Sequence, residues 1–458
     1  MRESISRRKF LKGAAMTGAM IGFPIIVPAE VVARKGAKRV MPNDRVNVGQ
    51  IGCGSIANYM HWGALKTMDD VRVVATCDAY KSRREAMAAL YNQHYGGSEI
   101  TTAHADFREV LARPGVDAVI IAAHDNWHTP MSIAAVNAGK DVYCQKPLAL
   151  DFSLTAILRK AVAKRGRVLQ FGTQYRSERM YRQMVEVVRN GYIGELKHID
   201  VWCRNVHNDA ANYHVKPYGS TEVAPVPDDL DFDAWQGPSP MVSYTVDRCT
   251  NWGGYHCPET SLGFIAGCGI HPLGIAQWGN KTDDTSPVRY EGTGNLPDQG
   301  IYRTLERWDV MCNYANGVTL RLMDDRTAEA VVTRYKPGWQ GGDGVVFHGT
   351  KGWIGNVSFA FAASDEDLWA VKFKDSEARL PVSNEHHRNF IDCVRSRQQT
   401  ICPVEMAIRC DTICHLARAA ALTGKVVNWD PKHEKIVGDN PVAAKMLSLP
   451  HRKKWKVW

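Results

Sequence analysis

Gly52-Cys53-Gly54-Ser55-Ile56-Ala57 spaces two glycines and an alanine as G-x-G-x-x-A. The first glycine permits a tight turn, and the second lets backbone come close to a pyrophosphate. The small third residue lets the next helix pack closely, with its positive N-terminus aimed at the phosphates. An acid that takes the ribose hydroxyls is expected about 20 residues further on, at the end of the following strand; Asp78 stands there. The competing reading is a glycine-rich turn with no ligand. The strand before it, the helix after it and the acid beyond it favour a dinucleotide. Asp78 favours NAD, because its charge repels a 2′-phosphate, while Lys81, Arg83 and Arg84 close behind leave NADP open.

Other side chains able to move protons gather in two places. Asn205–His214 carries His207, Asp209, Tyr213 and His214, and Tyr255-His256-Cys257-Pro258-Glu259 carries His256. His207, His214 and His256 are also potential metal ligands, but their spacing follows no ligand pattern, and no metal is expected. The twelve cysteines include no C-x-x-C. Cys53, Cys77 and Cys144 fall in or beside apolar strand-like runs, and Cys410 and Cys414 lie one helical turn apart, so buried free thiols are expected.

The elements that must position these residues change character along the chain. Up to about residue 171, strands alternate with helices. Strands are predicted at 45–52, 71–77, 116–122, 141–144 and 167–171, and helices at 56–67, 81–90, 106–112, 130–138 and 153–165. Val116–Ala122 is continuously apolar, as in a strand covered on both faces. This alternation predicts an α/β fold with an N-terminal doubly wound Rossmann domain over 43–171. A C-terminal α+β domain with a mostly antiparallel sheet is predicted over 172–430, followed by a tail over 431–458. Helices are expected at 180–190, 385–396 and 404–422. Strands are expected at 196–204, across 308–334 with a turn at Asn316-Gly317, and at 345–348, 353–354 and 369–373. A Pro- and Asp-rich loop spans roughly 208–262.

Composition adds an address. The formal net charge is +9, yet residues 1–40 hold nine Lys/Arg and two Asp/Glu, which accounts for +7 of it. The near-neutral remainder gives no footprint for nucleic acid, and the basic run His451–Lys456 reads as a solvated terminus. Ser6-Arg7-Arg8-Lys9-Phe10-Leu11-Lys12 is a twin-arginine motif, followed by a weakly apolar Gly/Ala-rich stretch and the small-residue end Val31-Val32-Ala33. The stretch is shorter than the roughly 20 residues a spanning helix needs. Residues 1–33 are therefore expected to be a signal for export to the periplasm, with no further membrane association.

Several runs resemble the Gfo/Idh/MocA oxidoreductases, the family of glucose–fructose oxidoreductase and inositol dehydrogenase. They are the fingerprint, Asp125-Asn126-Trp127-His128, and the signature-like Ala138-Gly139-Lys140-Asp141-Val142-Tyr143-Cys144-Gln145-Lys146-Pro147-Leu148. Gln174-Tyr175-Arg176-Ser177, Asn190–Gly194 and His387–Val394 also match. The resemblance implies that Lys146 reaches the reacting hydroxyl and that the second domain's open sheet mediates homo-oligomers, dimeric or tetrameric. Candidate cofactor-binding residues are Gly52, Cys53, Gly54, Ser55, Ile56, Asp78, Ala123, Asn126, His128, Gln145, Lys146 and Arg176. Two departures stand out. The family's signature has Glu where this chain has Gln145. Gly269–Trp278 resembles the family's helix with the catalytic His, here His271, but the flanking Asp positions hold Gly267 and Gly274.

The implied chemistry is removal of hydride from a secondary alcohol while a base takes the hydroxyl proton. His271 suits the base and Lys146 the polarising cation. A lone His is more often structural and a Lys after a strand more often solvent-facing; the family match is what singles out these two. With both carboxylates missing, His256 and His214 are further catalytic candidates. Trp235, Trp252, Tyr255 and Trp278 offer faces for a carbohydrate substrate, although such residues are mostly core. Export adds a constraint. The periplasm supplies no soluble NAD, so a cofactor loaded before export must be regenerated in place. Two schemes do so: ping-pong oxidoreduction between two sugars, and a redox-neutral glycoside hydrolysis by transient oxidation, elimination, hydration and re-reduction. A non-catalytic binding protein is a third class, disfavoured by the intact fingerprint and Lys146.

Overall fold

The computed structural model describes residues 45–205, 218–250, 252–339, 341–358 and 360–458. The leader motif, His207, Asp209, Tyr213 and His214 lie outside the described residues. In the N-terminal half six strands, β1 (Val46–Ile51), β2 (Val71–Cys77), β3 (Thr102–His104), β4 (Ala118–Ile121), β5 (Asp141–Cys144) and β6 (Leu169–Phe171), form one parallel sheet in the order β3-β2-β1-β4-β5-β6. This is the doubly wound order, and its switch point lies between β1 and β4, where a ligand cleft is expected beyond the strand ends. β4 and β5 are wholly buried because helices cover both faces.

The crossovers run through α1 (Lys81–His94), α2 (Phe107–Ala112), α3 (Asp125–Asn137) and α4 (Thr155–Arg165). Asp106 caps α2 by accepting from Arg108 N at 2.9 Å, and Gly166, at φ +58, ends α4. α3 begins five residues before the predicted start at Pro130, so Asp125 and Asn126 form its first turn. Pro130 therefore sits inside the helix and not at its first position.

The second half opens with α5 (Arg179–Arg189) and then builds a nine-stranded sheet. Its strands are β7 (Leu196–Cys203), β8 (Arg289–Asn295), β9 (Arg307–Asn313), β10 (Thr319–Asp324), β11 (Gly344–Gly349), β12 (Trp353–Val357), β13 (Ala360–Ala363), β14 (Val427–Asp430) and β15 (Lys435–Val437). The order is β13-β12-β11-β7-β10-β9-β8-β14-β15, antiparallel throughout except for β7 beside β10. Gly317, at φ +85, makes the predicted β9–β10 turn. α6 (Ile270–Asn280) packs on β7 and β11.

Three expectations need correction. The strand run to residue 334 ends at Asp324, whose carboxylate caps α7 (Asp325–Val332) by accepting from the backbone of Arg326 and Thr327. That helix buries Ala328, Val331 and Val332 against Trp202 and Met323. Residues 369–373 form no strand: Glu366–Trp369 is a single helical turn. The tail is folded as well. It holds β15 and a short helix at Pro441–Lys445, and its basic end docks on the body through buried Trp455. Two helices complete the domain, α8 (His386–Ser396) and α9 (Val404–Thr423), and α9 lies against β8 and β9. Among the described residues no helix is long and apolar enough to cross a membrane. All twelve cysteines are free thiols, eleven of them buried.

Candidate active site

Gly52 closes β1 at φ +90, and a Cβ there would stand 2.3 Å from Ala122 O, so only glycine fits this turn. At Gly54 a Cβ would project into open space whose nearest atom is Arg83 Nη1 at 4.0 Å. That space belongs to a cleft lined by Gly52, Gly54, Ser55, Ile56, Asp78 and Ala123. A side chain at 54 would fill the place a pyrophosphate needs, so the loop fits the dinucleotide its sequence implies. Asp78 braces the loop, accepting from Cys53 N at 2.7 Å and from Tyr80 N at 2.8 Å. The Arg83 guanidinium lies 3.9 Å over the Tyr80 ring and lines the same cleft.

Tyr255 lines the cleft, and Lys146 sits above its ring at 5.6 Å. Lys146 Nζ donates to Gly267 O at 2.7 Å. Arg176 donates through Nη2 to Gly274 O at 2.7 Å and pairs with Asp283 at 2.6 Å. At both places where the resemblance expects a carboxylate, a glycine offers its backbone oxygen to a cation instead. Arg176 thereby braces α6 rather than the cofactor cleft. His271, in the first turn of α6, packs on the Tyr175 ring at 4.9 Å, and its buried Nδ1 has no hydrogen-bond partner among the described residues. Burial, with the Lys146 ammonium next and His386 after it, holds its pKa well below the ordinary imidazole value. The ring is a neutral base.

Other predicted residues have structural roles. Asn126 donates to Gln236 O at 2.8 Å. His128 lies 2.9 Å from Ala123 O and 2.5 Å from Pro147 O, holding the turn that carries Lys146. His256 packs between Phe264 and Tyr302, 5.2 Å from each ring, while its neighbour Tyr255 faces the cleft. Trp252 stacks on Phe264 and Trp278 lies under Arg176, so of the four aromatic candidates only Trp235 and Tyr255 line the cleft. Among the described residues no group of three His, Cys, Asp or Glu has the geometry of a metal site.

Gln145 completes an oriented chain of hydrogen bonds. The Glu385 carboxylate accepts from His387 Nδ1 at 2.9 Å, His387 Nε2 lies 2.8 Å from His61 Nδ1, and His61 Nε2 lies 3.3 Å from Gln145 Nε2. With Glu385 at one end, each imidazole must donate through Nδ1 and accept at Nε2, so the last member has to be a donor. An amide meets that need and a carboxylate does not, which accounts for Gln145 where the family has Glu. Gln145→Glu is expected to lower stability by about 1–3 kcal/mol, because it buries a charge against an imidazole lone pair. Urea unfolding checks this, with a change below about 0.5 kcal/mol counting against it.

The structure adds Asp125 to the candidate residues. It is buried, its Oδ2 accepts from Ser261 Oγ at 2.5 Å, and its Oδ1 has no hydrogen-bond partner among the described residues. Burial pushes its carboxyl up to about 7, against the lowering effects of Ser261 and the Lys146 ammonium. Its signal is present in the Asp125–His128 motif, and the helix start at Asp125 sets the carboxyl where the Lys146 charge acts on it. The buried carboxyl of Asp343, raised by burial and lowered by Arg204 and Lys146, also lies within reach of the ammonium's field.

A cleft at the switch point of a parallel sheet, lined by the glycine loop and Asp78 and by Tyr255 from the second domain, has the form of a dinucleotide site. Residues 46–173 match the family model described as "Oxidoreductase family, NAD-binding Rossmann fold", and residues 180–457 match "Oxidoreductase family, C-terminal alpha/beta domain". The chain belongs to the Gfo/Idh/MocA oxidoreductase family. Inositol 2-dehydrogenase 1 of Saccharopolyspora erythraea is 33% identical over 208 residues, covering 44% of this chain and 58% of that protein. D-glucoside 3-dehydrogenase of Escherichia coli is 28% identical over 159 residues, covering 35% and 43%. The chain thus spans about half the length of these curated relatives. Among solved structures, the aldose–aldose oxidoreductase of Caulobacter crescentus complexed with glycerol superposes with a TM-score of 0.58 at 15% identity, over 84% of this chain and 99% of that one. The WlbA dehydrogenase of Bordetella pertussis, in complex with NADH and UDP-GlcNAcA, gives 0.59 at 14% identity over the same shares. At these identities the likeness is one of fold.

Proposed function

We propose that this protein is an exported, NAD-dependent oxidoreductase that acts on a secondary hydroxyl of a sugar or sugar derivative and keeps its cofactor bound through turnover. The observation that carries this reading is the glycine-loop cleft lined by Tyr255, with Lys146 over the Tyr255 ring and its ammonium acting on His271, which packs on Tyr175. A nicotinamide dinucleotide held by Gly52, Gly54 and Asp78 would supply the hydride acceptor. Lys146 donates to the reacting oxygen and stabilises the negative charge that grows there. His271, neutral under these conditions, accepts the hydroxyl proton. The proposal includes the twin-arginine leader at 1–33, a periplasmic location, and a dimer or tetramer formed through the open face of the nine-stranded sheet.

The preference for NAD over NADP is supported by the Asp78 carboxyl group, which lines the cleft beside the glycine loop. Asp78→Ala is expected to weaken NAD by about tenfold or more and NADP by less, read from equilibrium titration of nucleotide-free protein. Equal losses for the two nucleotides would remove Asp78 as the selector.

A second reading, redox-neutral glycoside hydrolysis, is favoured by one feature: the buried Asp125 carboxyl, which accepts from Ser261 and is pushed up to about 7 by burial, can exchange the proton that elimination and hydration require. Products separate the two. The protein is incubated without added nucleotide, with aryl glycosides and with free sugars. A keto sugar or lactone formed only with a second carbonyl substrate supports the oxidoreductase. Released aglycone with no keto product supports the hydrolase. Neither product, with nucleotide bound, would leave a binding protein.

A further inference from the structure

Part of the cleft wall comes from outside the Rossmann domain, from Ala234, Trp235, Tyr255 and Trp455. The turn after β2 is stitched to residues 229–231: Lys81 N donates to Asp229 O at 2.9 Å, Asp231 N to Ala79 O at 3.1 Å, and Ser82 N to Asp229 Oδ1 at 2.7 Å. Asp231 then caps the short helix Phe232–Gln236, whose Trp235 lines the cleft. Onto this helix docks the segment 449–458. Arg452 Nε donates to Gly237 O at 2.8 Å, Arg452 N donates to Pro238 O at 2.9 Å, and its guanidinium pairs with the Asp233 carboxylate. Lys454 Nζ donates to Asp233 Oδ2 at 2.6 Å, and His451 Nε2 lies 2.5 Å from Asp151 Oδ2. These anchors set Trp455 edge-on to Trp127 at 5.4 Å, where it too lines the cleft.

Both indoles are 5% exposed, and the Nε1 donors of Trp235 and Trp455 are buried with no hydrogen-bond partner among the described residues. With Trp127 beside them, the two indoles give the cleft next to the glycine loop and Asp78 an aromatic wall that suits a flat heteroaromatic group. Adenine has that shape.

We propose that the segment 449–458 and the helix Phe232–Gln236 complete the adenosine subsite, with Trp455 and Trp235 as cofactor-binding residues, so that the dinucleotide leaves only after this segment undocks. The inference rests on the cofactor reading above. It assigns nucleotide contacts to residues outside the glycine fingerprint, and it supplies a physical basis for a cofactor retained through turnover.

The test uses the full chain carrying its own nucleotide, chased with excess labelled NAD. Trp455→Ala removes the wall, and Trp455→Phe keeps a ring without the N–H. Asp233→Asn loosens the docking of 449–458 without touching the cleft wall. Trp455→Ala and Asp233→Asn are each expected to speed nucleotide release by about tenfold or more, with Trp455→Phe in between and the circular-dichroism spectrum unchanged. Release within twofold of wild type in both Trp455→Ala and Asp233→Asn would overturn the proposal. Tighter binding in Trp455→Ala would also overturn it, because the indole would then be occupying the nucleotide's place. A wild-type protein that carries no nucleotide and binds neither NAD nor NADP would refute the cofactor reading itself, a result distinct from these.

Discussion

Lys146→Ala is expected to lower kcat by about 10³-fold while the nucleotide stays bound. The ammonium sits between Gly267 O and the face of Tyr255, and its field reaches His271 and Asp125. In the proposed reaction it is the cation that steadies the forming alkoxide. It makes no hydrogen bond to the fingerprint loop, so its loss leaves the nucleotide's anchor intact. His271→Ala is expected to lower kcat by about 10²- to 10⁴-fold. A coupled readout separates chemistry from damage to the fold. The Lys146 charge helps depress His271, so removing it raises the imidazole pKa. A base acts only above its pKa, so the acid limb of the residual Lys146→Ala activity moves to higher pH than in wild type. Near-wild-type turnover in His271→Ala would transfer the role of base to Asp125.

Asp125→Asn is expected to lower kcat by about 10²-fold and to flatten a limb of the pH profile centred near 7. The direction follows from the titration. Below about 7 the buried carboxyl is neutral and has no charge with which to take a proton; above it, it is a carboxylate. Activity therefore rises with pH through this range. Ser261→Ala gives a second handle on the same group. The Ser261 hydroxyl stabilises the charged form, so its loss raises the Asp125 pKa further, and the limb moves to higher pH. A limb that persists in Asp125→Asn would assign it to another residue.

The nucleotide half was legible in the sequence because its signals are local. A continuously apolar β4, a glycine where the β1 turn admits no Cβ, and Asp78 one strand later each carry their meaning within a few residues. The rest depended on distant partners. Gln145 and Arg176 sit on matched motifs, yet His61 draws one and Asp283 and Gly274 draw the other, from 84 to 107 residues away. β8 is Arg-Tyr-Glu-Gly-Thr-Gly-Asn, too polar and glycine-rich to read as a strand, and it is held by pairing with β9 along its length. The run His451–Lys456 looked solvated by composition. Asp151 and Asp233, which pair with it, lie some 220 to 300 residues earlier in the chain.

Isotope transfer inside the loaded protein tests the central claim most directly. Protein carrying its nucleotide in the oxidised form, freed of excess, is mixed with sugars bearing deuterium at each carbinol carbon in turn, with no second carbonyl substrate present. The account predicts that one position delivers deuterium to the nicotinamide ring in a single turnover, with the absorbance of the reduced nucleotide appearing in step, and that Lys146→Ala abolishes both signals with the nucleotide still bound. Retention of deuterium at every sugar carbon, with the nucleotide present and unreduced across the panel, would contradict it.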